Sequence, residues 1–65
     1  MPQNGVNQHL SVTQRKEIFL ALVDAQDEGF SVPQSRKAIV ERFAVTERQL
    51  RQIEQEGLDN GWPPL

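Results

Sequence analysis

At 65 residues and 37% hydrophobic content, the chain has room for one domain and one small core, and a core of that size confers modest stability. Seven Lys and Arg against nine Asp and Glu give a net charge of −2, so the chain lacks the basic surplus that drives strong independent nucleic-acid binding. The absence of cysteine excludes a disulfide framework or thiolate metal site, and the longest apolar run, Ile18 to Val23, is far too short to span a bilayer.

Met1 to His9 carries no Lys or Arg and no apolar h-region, which does not fit a secretory signal. With the lack of cysteine, this fits a cytoplasmic protein. Residues 1–10 are expected to be disordered, ahead of a trihelical domain over residues 11–61 and an extended Trp-Pro-Pro-Leu tail over residues 62–65. Three helix starts are written in the same way. Ser11-Val-Thr-Gln14, Ser31-Val-Pro-Gln34 and Thr46-Glu-Arg-Gln49 each fit a capping box. In that motif the hydroxyl accepts an early backbone N–H and the Gln reaches back to the cap residue's own N–H.

The first helix is expected from about Val12 to Glu28, with Ile18, Phe19, Leu22, Val23, Ala25 and Ala21 forming a face broad enough for two partners. Gly29 stops it in the left-handed C′ role, and Phe30 can fold back on its last turn. The second runs from about Val32 to Phe43, with Pro33 tolerated in the first turn. Ala38, Ile39 and Phe43 are expected to face inward, with Val40 widening the stripe. The third follows Thr46 and buries Leu50 and Ile53, with Val45 just before it. It ends at Gly57, where Leu58 would touch Ile53 in a Schellman contact, or near Asn60-Gly61.

Only Ala44 and Val45 separate Phe43 from Thr46, so the second and third helices must cross steeply. Ile39, Phe43, Val45, Leu50 and Ile53 are apolar at the spacing of a helix-turn-helix. The expected fold is therefore an all-α three-helix bundle with a helix-turn-helix between helices 2 and 3. Two positions depart from the pattern: Val40 stands where a small residue usually lets the helices approach, and Ala44 where Gly usually makes the turn.

Phe43-Ala44-Val45-Thr46, followed by Leu50-Arg51-Gln52-Ile53-Glu54, resembles the promoter-reading region at the carboxyl end of bacterial primary sigma factors, a homeodomain-like trihelical unit. The resemblance covers residues 35–58. It implies a bacterial, transcription-associated DNA-binding protein in which Arg51 and Gln52 face the DNA. The chain departs where that family is basic, reading Gln-Glu-Gly-Leu-Asp after Glu54.

At about 100° per residue, Thr46, Leu50, Ile53 and Gly57 cluster on one side of the third helix. Arg48, Arg51, Gln52 and Gln55 stand opposite, with Glu47, Glu54 and Glu56 on the flanks. Arg can grip guanine bidentately and Gln adenine, so this outward face is a candidate reading head. Arg36, Lys37 and Arg42 on the second helix are candidates for phosphate contacts. Glu47–Arg51 and Lys37–Glu41 also have the spacing of helix-stabilising ion pairs, which gives the same charges a purely structural use. With few basic contacts, DNA binding is expected to be weak alone and to need a homodimer or a larger complex.

A second reading is a protein-interaction module docking through the third helix, the acidic end of the first, or the tail. Asp24, Asp27 and Glu28 crowd a helix C-terminus, where the macrodipole disfavours negative charge. They form an acidic patch for a basic partner or a weak cation site, unless Arg36, Lys37 or another basic residue neutralises them. Trp62 either folds back as a lid on the seam between helices 1 and 3 or, with Leu65, forms a stiff docking peptide. His9 is the sole histidine and cannot build a zinc site of the usual kind. No Ser has a credible His and carboxylate pair, so a binding role without cofactor, rather than catalysis, is expected.

Overall fold

The structure, a computed structural model, describes residues 10–64. The stretch expected to be disordered lies outside these residues except for Leu10, and Leu65 lies outside them too. Among the described residues the chain forms three helices packed on one another, α1 (Val12–Asp27), α2 (Val32–Phe43) and α3 (Glu47–Asn60).

All three capping boxes form. Ser11 N–H donates to Gln14 Oε1 at 2.8 Å and Gln14 N–H to Ser11 Oγ at 3.1 Å. The reciprocal pairs at Ser31–Gln34 measure 3.1 and 3.2 Å, and those at Thr46–Gln49 2.9 and 3.0 Å. Each satisfies two backbone donors that a helix start otherwise leaves without partners.

The C-terminus of α1 is a Schellman motif. Gly29 has φ +103°, its N–H donates to Gln26 O at 3.1 Å, and Phe30 N–H donates to Ala25 O at 3.2 Å. α2 ends at Ala44, which holds φ 56° and ψ 40°, the left-handed conformation that Gly adopts without strain. Ala44, Val45 and Thr46 alone connect α2 to α3, and Val45 is buried beneath the turn.

Of the two expected ends of α3, the chain takes the later one: the helix passes Gly57 and continues to Asn60, and Gly61 takes the left-handed position with φ 63°. Trp62 N–H then donates to Gly57 O at 2.9 Å. Leu58, expected to contact Ile53 past a helix end, is instead 55% exposed on the body of the helix. Gly57 is buried because α3 crosses α1 there. A Cβ at this position would lie 2.4 Å from Phe19 Cδ1 and Cε1, far inside contact distance.

The core comprises Ile18, Phe19 and Leu22 of α1, Ile39 of α2, Val45, Leu50 and Ile53 of α3, and Trp62. Trp62 is 7% exposed, and its ring meets Phe19 edge-on at 6.1 Å between centroids. This is the lid arrangement; the capping bond at Gly57 turns the chain back toward α1. Pro63 and Pro64 form a turn with a cis peptide bond between them, rather than an extended run.

One inward expectation and one expectation of disorder need correction. Ala38 is exposed, and Leu10, the last residue of the stretch expected to be disordered, packs against the core. The inward line of α2 is Ser35 and Ile39, both buried, followed four residues on by the half-buried Phe43, and Ala38 lies a helical step to the side. Ser35 is fully buried where α1 and α2 meet. Its hydroxyl donates to Val32 O at 2.9 Å and accepts from Gln26 Nε2 at 3.4 Å.

Candidate nucleic-acid interface

Capping at Thr46 fixes where α3 begins, and burial of Leu50, Ile53 and Gly57 fixes its rotation. Arg48, Arg51 and Gln52 therefore point outward. All three are exposed, and none of their side chains makes a hydrogen bond or ion pair to another described residue. Three and four residue spacings place them side by side on one face.

Gln55 shares that face, but its Nε2 donates to Asp59 Oδ1 at 2.9 Å. Because α3 runs past Gly57, Asp59 joins the end of the face that was expected to be free of acids. The side-chain amide of Gln55 is thus engaged within α3, and the carboxylate beside it adds negative charge at that end.

The α2 candidates separate. Arg36 Nη2 donates to Glu54 Oε1 at 2.9 Å, joining α2 to α3, and Arg36 Nε is buried without a partner. Arg42 lies beside the groove between α1 and α2, its guanidinium 5.1 Å from the centroid of the Phe43 ring. Lys37 is exposed, with no ion pair among the described residues. The spacing-compatible pairs Glu47–Arg51 and Lys37–Glu41 do not form.

A second interhelix pair escaped the sequence reading. Arg15 Nε donates to Glu56 Oε1 at 2.9 Å and ties α1 to α3, while its Nη1 donates to the carbonyl of Leu10. Four-residue spacing marks pairs within a helix, but nothing comparable in the sequence marks pairs across helices. These two bridges have an electrostatic consequence for the outward face. They neutralise Glu54 and Glu56, two of the three carboxylates on the flanks of α3, and leave Arg48 and Arg51 unpaired.

Asp24, Asp27 and Glu28 are exposed and not neutralised. Among the described residues, the ion pairs are those of Arg15 and Arg36, and both lead to α3. Arg36 is drawn to Glu54 rather than to the end of α1. No group of three His, Cys, Asp or Glu side chains among the described residues is placed to hold a metal ion, so the cation-site expectation for this end is not met. The Trp62 ring is turned into the core, with Lys16 Nζ 5.9 Å from its centroid. His9 and Leu65 lie outside the described residues. No helix among the described residues is long and apolar enough to cross a membrane.

No protein-family model, curated protein or solved structure matches this chain.

Proposed function

We propose that the chain is a small nucleic-acid-binding module of helix-turn-helix type, in which the amino-terminal half of α3 enters a DNA groove. The observation that carries this reading is the unpaired trio Arg48, Arg51 and Gln52 on the exposed face of the helix that follows the tight turn. Arg and Gln are the side chains that read guanine and adenine edges bidentately. Interhelix bridges to Glu54 and Glu56 lessen the repulsion that the acidic half of α3 would exert on phosphate.

The reading head is Arg48, Arg51 and Gln52, with Lys37 as a backbone contact. Gln55 contributes once its bond to Asp59 is exchanged for a base. Arg36 serves the fold through Glu54 and is not a primary phosphate ligand. With only Lys37, Arg48 and Arg51 to bring positive charge to the phosphates and a net charge of −2, affinity of the monomer is low at physiological salt. The module acts as a dimer or tethered within a larger transcription-associated assembly. This agrees with the resemblance to the promoter-reading unit of bacterial primary sigma factors.

Joint replacement of Arg48→Ala and Arg51→Ala is expected to abolish retention on immobilised duplex DNA at low salt. Both residues are exposed, so the circular dichroism spectrum and melting temperature should hardly change. Undiminished retention by the folded double variant would eliminate the reading.

A further inference from the structure

We propose that the groove between α1 and α2 docks a basic amphipathic helix of a partner protein. No residue of α3 lines this groove, so it is a surface separate from the proposed nucleic-acid face and can be occupied at the same time.

The groove encloses about 500 Å³. Ala21, Ala25 and Ile39 line it, and larger apolar side chains remain open to solvent beside them. Leu20 is 42% exposed and Phe30 49% exposed, and Phe43 is half-buried. Leu20, Phe30 and Phe43 all line the groove, and apolar side chains of this size distributed along a groove form the strip that a helix-in-groove interface uses.

Charge identifies the occupant. Glu17, Asp24 and Glu28 line the same groove, and none of them has an ion-pair partner among the described residues. Among the described residues Arg42 is the one cation lining it, and its guanidinium lies over Phe43. The last turn of α1 contains no basic residue, so the negative end of the helix dipole adds to the field of Asp24 and Glu28. An apolar strip with carboxylates beside it fits a helix carrying Leu-like residues along one stripe and Lys or Arg beside them. From Glu17 to Glu28 the groove extends about 16 Å along α1, the length of about three helical turns.

Other occupants fit less well. Nucleic acid would meet repulsion from the carboxylates. Two copies joined groove to groove about a two-fold axis would bring like charges together, which costs affinity.

The test uses the full isotope-labelled chain and three synthetic helical peptides. The first places Leu at i, i+3, i+4 and i+7 with Lys elsewhere. The second replaces Lys by Glu, and the third keeps Lys but replaces Leu by Gln. The Leu/Lys peptide is expected to shift the amides of Leu20, Ala21, Phe30 and Phe43, and the other two to leave them unchanged. Asp24→Asn with Glu28→Gln should weaken binding about tenfold by removing two rim charge pairs. These residues are exposed, so the fold survives. Leu20→Gln should weaken it comparably with every carboxylate in place. Shifts scattered over the surface, equal shifts with the Lys/Gln peptide, or no binding would each overturn the proposal. So would self-association through the groove without peptide, seen by sedimentation, because a second copy would then be the occupant.

Discussion

Ala44 holds a backbone conformation that its side chain disfavours. At φ 56° and ψ 40° its Cβ approaches the following carbonyl oxygen, a penalty of about 1–2 kcal/mol that Gly does not incur. Gly in turn loses more conformational freedom on folding, about 0.5–1 kcal/mol relative to Ala. Ala44→Gly is therefore expected to stabilise the chain by about 0.5–1 kcal/mol, measured by urea denaturation. A loss of stability would show that the turn is not left-handed at this residue. The sequence marks the turn here, because the apolar pattern and the Thr46 cap leave only two residues between the helices. It does not reveal that Ala44, standing where Gly usually makes the turn, takes the left-handed conformation itself, since that depends on how α2 and α3 dock.

At the scale of the helices, the starts are legible and one end is left open between Gly57 and Asn60-Gly61. Capping boxes use residues three apart, so Ser11, Ser31 and Thr46 announce their helices locally, and all three form as read. Gly57 looks like a stop for the same local reason, but its role is set by Phe19 on another helix. Ser35 is a comparable case: a polar residue near a helix start reads as surface, yet it occupies the contact of α1 with α2 and is satisfied by Val32 and Gln26. At the candidate interface, the outward direction of Arg48, Arg51 and Gln52 was legible from the helical wheel. The loss of Arg36 to Glu54 was not, because an interhelix pair depends on how α2 and α3 dock. Gly57→Ala discriminates local from tertiary control. Helix propensity alone predicts a gain of about 1 kcal/mol. The clash with a buried ring predicts a net loss of about 1–3 kcal/mol, and this is the expected result in thermal or urea unfolding. A gain in stability would mean that α3 does not cross α1 at this glycine.

Across the whole molecule, charge is divided unevenly. α1 and its C-cap carry Glu17, Asp24, Asp27 and Glu28 without ion-pair partners among the described residues, whereas α3 keeps Arg48 and Arg51 unpaired and has Glu54 and Glu56 paired to Arg36 and Arg15. A net charge of −2 thus hides two unpaired cations in the amino-terminal half of α3, flanked by the unpaired Glu47 and followed by Asp59, and the proposed nucleic-acid reading depends on those two cations. Attraction to phosphate should be short-ranged, because salt screens exposed charges within about 10 Å at 0.1 M. It should also be shallow in its salt dependence, with a slope of log K against log salt of about −2 to −3 for two or three phosphate contacts.

The most direct measurement is an NMR titration of the labelled chain with random duplex DNA, at low salt and then at physiological salt. The account predicts shifts centred on Arg48, Arg51 and Gln52 at low salt that fade as salt rises, with the α1–α2 groove unchanged. Absence of shifts at low salt, or shifts centred on α1, would contradict it.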